Sequence, residues 1–169
     1  MSLLFQNFHF PESRVAIGVV AVSGKVLTNE GLYRKIGLSF MDLQKITRER
    51  LSFLKRRQGN ILSEKNLEAE DITGKNILVI DDGLATGFTA LGAVKDLKKS
   101  GAEKVYMAAP VIHKSAKTLL GSDCDGITQI VESETRVFAV SSYYRMFDAV
   151  GDKEVREVLK KNRWIFEEE

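Results

Sequence analysis

The 169-residue sequence has one cysteine, two prolines and two histidines. A single thiol, Cys124, excludes an internal disulfide, and His9 and His113 are too few to build a Cys/His zinc site beside it. Scarce proline, with 44% hydrophobic and 28% charged residues, excludes collagen, low-complexity polymers and intrinsically disordered chains. Long hydrophobic runs are missing too. The longest uncharged apolar stretch, Val15 to Val22, falls far short of the about 20 residues that a membrane-spanning helix needs. The opening MSLLFQNFHF lacks the basic start and small-residue cleavage site of a secretory signal. These absences lead to the expectation of a soluble, cytoplasmic protein with no membrane partner. Its length fits one domain over residues 1–169.

Charge of one sign is also missing in bulk. The 25 basic and 23 acidic side chains leave a net +2, too balanced for a nucleic-acid binder, and nucleic acid is not the expected partner. The basic residues do cluster locally at Lys45, Arg48, Arg50, Lys55, Arg56 and Arg57, against Glu49 alone. Leu43, Ile46, Leu51 and Leu54 lie at helical spacing in the same stretch. It therefore reads as an amphipathic helix, Met41 to Arg57, capped by Ser39 and wet on its basic face.

Along the chain, Arg14 to Val22 suits a buried strand, with Ser23-Gly24 as a turn and Lys25 to Thr28 returning as a short strand. A short helix near Gly31 to Ile36 precedes the basic helix. Gln58 to Gly74 is polar and acidic and reads as a mobile loop. From Lys75 onward strands and helices alternate: strand Ile77 to Ile80, helix Thr89 to Lys99 ending at Ser100-Gly101, then strand Val105 to Ala109 halted by Pro110. A helix near Ser115 to Leu120 follows, then strands Ile127 to Val131 and Val137 to Val140, and a closing helix from Asp152 to Lys161. Alternation of this kind predicts a parallel α/β sheet with right-handed crossovers.

The chemistry concentrates in Ile77 to Thr89, ILVIDDGLATGFT. Asp81 and Asp82 fall at the carboxyl end of a predicted central strand, where open α/β sheets place their ligands. Ala85, Thr86, Gly87, Phe88 and Thr89 then turn into a helix, whose N-terminus offers backbone N–H groups and the positive end of its dipole to a phosphate. Carboxylates repel phosphate, so the partners predicted for the acids are neutral sugar hydroxyls. Neither common nucleotide loop, G-x-x-x-x-G-K-S/T or G-x-G-x-x-G, is present. Two other readings of the acids, helix caps or a response-regulator-like Mg²⁺ pocket, leave the Thr/Gly loop unexplained.

The segment resembles the thirteen-residue 5-phosphoribosyl-1-pyrophosphate (PRPP) motif of the type I phosphoribosyltransferases: four apolar residues, two acids, then small-Thr-Gly-x-Thr. Residues 14–161 are similar to the prokaryotic branch of that family, through VAIGVV, LTNEGL, ITRERLSFLKRR, DDGLATGFT and VFAVSSYYRMFDAVGDKEV. The resemblance implies a Rossmann-like, mostly parallel sheet flanked by helices, with a small C-terminal hood at about 132–150. It also implies a transferase that passes the phosphoribosyl group of PRPP to a nitrogenous base with release of pyrophosphate, Mg²⁺ being bound through that pyrophosphate. Asp81 and Asp82 would bind the ribose hydroxyls, residues 85–89 the 5-phosphate, and Phe138, Tyr143 and Tyr144 of the hood the base.

One family feature has no counterpart here. The strand and short basic Gly-rich loop that grip pyrophosphate, upstream of the AIG strand in the family, match nothing before Arg14. Lys25, in Ser23-Gly24-Lys25, is the one substitute ligand, although a plain hairpin accounts better for that turn. In the family the missing strand lies beside the PRPP-motif strand, and an open edge there is a liability. Three remedies are open: a shortened gene product, LLFQNFHF filling the gap, or a second subunit covering it. A homo-oligomer is accordingly expected. The alternative function is a non-catalytic phosphoribosyl-binding module of the same fold. Cys124 is expected to be a small filler, His113 to sit where the helix after its strand begins, and Trp164 to Phe166 to form an apolar tail.

Overall fold

The computed structural model describes residues 5–9, 16–62 and 72–161. Two three-stranded sheets organise it. The first is antiparallel, in the order β1 (Phe5–His9), β2 (Ala16–Ala21), β3 (Val26–Thr28). All six residues of β2 are buried, as a strand without polar side chains requires when both of its faces are covered. The helix α1 (Glu30–Lys35) follows, capped by the Asn29 side chain, which accepts the Leu32 N–H at 3.1 Å. The helix α2 (Phe40–Leu62) begins with a reciprocal cap: Ser39 Oγ accepts the Asp42 N–H at 3.1 Å, and Asp42 Oδ2 accepts the Ser39 N–H at 3.0 Å.

The second sheet is parallel, in the order β4 (Asn76–Ile80), β5 (Lys104–His113), β6 (Gly126–Ser133). Helices α3 (Phe88–Lys99) and α4 (Lys114–Leu120) make its crossovers, and α5 (Asp152–Lys161) packs on α2. The expected α/β architecture is therefore present, a parallel sheet flanked by helices, with an antiparallel sheet built from the first three strands.

The element α3 holds the two sheets together. Leu91, Val94 and Leu97 pack with Val105, Met107 and Ile112 of the parallel sheet. Its opposite side carries Ala93 into a second cluster with Phe5, Val19 and Ala21. Contact is closest at Gly92, where an added Cβ would stand 2.3 Å from Val19 Cγ1. A larger residue would separate helix from strand.

Several expectations need correction. β4 is an edge strand of its sheet among the described residues, and only one of its faces is covered: Leu78 and Ile80 are 57% and 73% exposed, and Ile130 on the same uncovered face is 86% exposed. A run of four apolar residues does not reveal whether anything packs on its second side. Phe5–His9 pairs antiparallel with β2 and does not fill the gap beside β4. Pro110 does not end β5, which runs through to His113. The Asp81 N–H bonds to the Ala108 carbonyl, and β4 then turns away, so the N–H that proline lacks falls where no strand waits for it.

Val137 to Val140 is not a strand. The chain leaves β6 after Ser133 in an irregular path, partly turned by the Thr135 hydroxyl donating to the Val137 carbonyl at 3.1 Å, and reaches a single 3₁₀ turn at Val140–Tyr143. The helix α2 runs on to Leu62, so 58–62 is not loop, while 63–71 lies outside the described residues. Arg57 does not join the wet basic face. Leu54, Arg57, Gln58 and Ile61 make one buried stripe, and Arg57 Nε donates to Asp152 at 2.7 Å, tying α2 to α5. The 164–166 tail also lies outside the described residues. Cys124 packs partly buried against the main core as a filler, and burial pushes its thiol up from the usual value. No described helix is long and apolar enough to cross a membrane.

The Gly92 contact gives a direct test of how α3 is seated. Gly92→Ala should lower the free energy of unfolding by about 1–3 kcal/mol, the usual cost of overpacking, read as a lower urea midpoint with unchanged slope.

Candidate active site

After Ile80 the backbone leaves β4, yet its hydrogen bonding to β5 continues. The Asp81 N–H donates to the Ala108 carbonyl at 3.1 Å, the Leu84 N–H to the Val111 carbonyl at 3.0 Å, and the His113 N–H to the Leu84 carbonyl at 2.8 Å. Leu84 is buried in the main core and forms an isolated parallel bridge with Ile112. Sequence reasoning passed over Leu84, the one large apolar residue between the acids and the Thr/Gly turn. Asp82 and Gly83 consequently bulge from the carboxyl end of the sheet between two anchored residues.

Asp81 and Asp82 are brought together at that bulge. The Asp82 N–H donates to Asp81 Oδ1 at 2.9 Å. Asp81 is half-buried while Asp82 is exposed. Burial pushes the Asp81 carboxyl up from 3.8 to about 6; the Asp82 N–H opposes the rise and the Asp82 carboxylate adds to it.

The following turn ends at Gly87, whose φ of +73° lies in the left-handed region. A Cβ at Gly87 would come within 3.0 Å of the Ala116 backbone, so both conformation and space demand glycine where the turn crosses α4. The Leu91 N–H bonds back to the Gly87 carbonyl at 2.8 Å, which starts α3. Ala85 and Thr86 are exposed beside the acids, and Thr86 Oγ1 lies 3.4 Å from the Phe88 N–H. The Phe88 side chain turns inward to the second core cluster, leaving only its backbone to the loop. Thr89 stands half-buried in the first turn of α3. An acid pair and a helix N-terminus thus share one short loop at the sheet's carboxyl edge.

The hood closes over this loop. Val140 lies on Gly83, where a Cβ would be 2.6 Å from Val140 Cγ1. The Tyr144 hydroxyl donates to the Asp82 carbonyl at 2.5 Å, and burial, then the charges of Asp82 and Asp81, raise its phenol above the usual value. The Tyr143 hydroxyl donates to the buried Ser133 Oγ at 2.6 Å. His113 Nδ1 accepts the Ser115 N–H at 3.2 Å, capping α4 at the expected helix start, and Nε2 lies 3.2 Å from the Thr135 carbonyl. Phe138 meets the His113 ring edge-on at 5.3 Å and the Tyr143 ring at 5.5 Å. Of the three hood aromatics, Phe138 and Tyr143 already face each other, and only Tyr144 reaches the acid loop.

Lys25 is not brought to the loop. It pairs with Asp96 at 2.6 Å and donates to Ser100 Oγ at 3.2 Å, on the far half of α3. Asp96 is about 12 Å of helical rise from Phe88. The turn at Ser23 to Lys25 is the plain β2–β3 hairpin.

The family model described as the phosphoribosyl transferase domain matches residues 4–145. The chain belongs to the phosphoribosyl transferase domain family. A Mycobacterium tuberculosis protein (strain H37Rv) named "Putative phosphoribosyl transferase Rv0571c" is 26% identical over 157 residues, which is 93% of this chain and 35% of that protein. The chain therefore spans about a third of the length of that relative. A ribose-phosphate pyrophosphokinase from Pyrococcus furiosus is 51% identical over 39 residues, 23% of this chain and 14% of that protein. Among solved structures, TT1426 from Thermus thermophilus superposes with a TM-score of 0.72 at 22% identity, covering 96% of this chain and 75% of that one. At that identity the likeness establishes the fold, and the fold is that of the phosphoribosyl transferase domain.

The raised Asp81 carboxyl ties this domain's stability to pH with a definite sign. A folded-state value of about 6 against 3.8 means that the folded chain holds the proton more tightly, so stability falls as pH rises between these values and stays lower above about 6. Asp81→Asn removes that loss. It should melt higher than the parent at pH 8 by about 2–8 °C, and the gain should vanish near pH 4. Thermal melts at the two pH values check this.

Proposed function

We propose that the loop from Asp81 to Thr89 is a phosphoribosyl site, and that the chain takes PRPP and transfers its phosphoribosyl group to a nitrogenous base, releasing pyrophosphate. The observation that supports this most is the shared loop: two carboxylates and the N-terminus of α3, separated by Gly83 to Thr86, at the carboxyl end of β4. The phosphate would lie against residues 85–89, held by backbone N–H groups and the Thr86 and Thr89 hydroxyls. The acids would accept hydrogen bonds from the ribose diol and fix the ring. Holding both ends of the sugar sets C1 before a base nitrogen. The bond from that nitrogen to C1 forms as the bond from C1 to the pyrophosphate oxygen breaks, through an oxocarbenium-like state.

The donor set fits a magnesium ion bound mainly by its ligand. Among the described residues no group of three or more His, Cys, Asp or Glu side chains could cage a metal, whereas two neighbouring carboxylates suit an ion that keeps waters and phosphate oxygens. When bound, Mg²⁺ would offset the charge gathering on the departing pyrophosphate.

A second reading is favoured by Lys25, whose engagement with Asp96 leaves it remote from the loop. With Lys25 not available to pyrophosphate, the domain would bind phosphoribosyl groups without transferring them. Release of pyrophosphate on incubation with PRPP, Mg²⁺ and a panel of bases decides for transfer; binding without release decides for the module. Titration calorimetry should show PRPP–Mg²⁺ binding that Asp82→Asn weakens at least tenfold, and no binding by the parent would end the proposal.

Homo-oligomerisation belongs to the same proposal, supported by the uncharged face that Leu78, Ile80 and Ile130 expose beside the open edge of β4. Sedimentation velocity should show a dimer or larger species that Leu78→Lys with Ile130→Lys reduces to monomer.

A further inference from the structure

The acid loop is anchored at both ends by β5, through the Asp81 N–H and through both backbone groups of Leu84. Among the described residues, the bulge between them, Asp82–Gly83, has no strand beside it. Beyond its seat against Val111 of β5, three contacts among the described residues hold it. The Asp82 N–H turns back to Asp81 Oδ1, Gly83 lies under Val140, and the Asp82 carbonyl accepts from the Tyr144 hydroxyl. Two of the three come from one 3₁₀ turn and the residue after it. That turn is itself tied down, by the Tyr143 hydroxyl on buried Ser133 and by the Tyr144 N–H on the Ser141 carbonyl at 3.2 Å.

We propose that Tyr144 is a positioning residue: its hydroxyl, by holding the Asp82 carbonyl, fixes the direction in which the Asp82 carboxylate meets a sugar. The inference rests on the phosphoribosyl reading above but assigns Tyr144 a task that needs no base. Between the anchors at Asp81 and Leu84, release of the Asp82 carbonyl would let the backbone torsions of Asp82 and Gly83 change together and shift the Asp82 Cα with the exposed side chain on it, a change that glycine at 83 does not resist. The Tyr144 hydrogen bond does. The Tyr144 ring packs on Phe147 at 5.0 Å with a 47° tilt, so the phenol reaches the loop from a supported ring. The α3 N-terminus and the Thr86–Gly87 turn lie outside this arrangement, because Leu84 and Ala116 fix them independently. Loss of the hydroxyl should therefore reach sugar recognition and spare phosphate recognition.

The test compares two probes, ribose 5-phosphate and inorganic phosphate, titrated calorimetrically into the full chain. Tyr144→Phe keeps the ring and removes the donor. It should weaken ribose 5-phosphate by about 3- to 10-fold, the usual effect of one partly exposed hydrogen bond, and leave inorganic phosphate unchanged. Tyr144→Leu, which also removes the ring, should show the same loss, since neither probe carries a base. Uptake of both probes with an unaltered ratio in either variant would overturn the positioning role alone. A parent chain that takes up neither probe would overturn the phosphoribosyl reading and this inference with it.

Discussion

The hydrogen-bond ladder between β4 and β5 outlasts β4, and the rest of the site depends on that continuation. With Asp81 joined to Ala108 and Leu84 joined on both sides to β5, the chain between them must leave the sheet and return within three peptide units. Its side chains then stand beyond the sheet's end. Leu84 is the decisive residue, because burial of its side chain makes the return to β5 favourable: about 2 kcal/mol from apolar transfer alone, more than a polar residue there could supply. Once Leu84 is fixed, Gly87 must begin α3 against Ala116, and the helix axis points its N-terminus at the same edge as the acids.

The antiparallel sheet, though remote from the chemistry, fixes the other end of that axis. In the middle of α3 the residues facing it, Gly92 and Ala93, are small, and Gly92 lets Val19 sit almost on the helix backbone. The Lys25–Asp96 pair then secures the far half of the helix from the same side. A helix clamped along its length between two sheets has little freedom to tilt, and that is what the proposed phosphate cradle at its first turn would require. Lys25 thus braces the far half of α3, away from the acid loop.

The parts legible in the sequence were those set by short-range chemistry. The strand–acid–glycine–helix order of ILVIDDGLATGFT, the helix stop at Ser100-Gly101, the Ser39 cap and the His113 position before α4 each follow from local rules, and each is found. What was illegible depended on partners far along the chain. Whether Leu78 and Ile80 are covered is decided by what packs on the second face, which a strand's own residues do not state. Pro110 reads as a stop only if its N–H is needed, and β4 departs one residue too soon to need it. Arg57 looked solvated because its acceptor, Asp152, lies 95 residues away on another helix. The hood aromatics read alike in sequence, yet Phe138 and Tyr143 pack on each other and Tyr144 alone meets the acid loop.

The electrostatics of the loop set it apart from an ordinary turn and favour the proposed site. Two adjacent carboxylates, one of them half-buried, repel each other, and desolvation holds Asp81 well above the ordinary carboxylate range. Among the described residues the relief shown is one N–H, from Asp82 to Asp81 Oδ1. Each ionised carboxylate has room for about four hydrogen bonds, so most of this acceptor capacity faces outward. Water can fill it, but a pair of sugar hydroxyls held at fixed spacing would do so with less loss of freedom per bond made. Leu84, Val140 and Tyr144 hold the loop in this shape from both sides. Packing on both sides fixes where the two carboxylates point, so under the proposed reading a ligand would gain from them only if its hydroxyls arrived there.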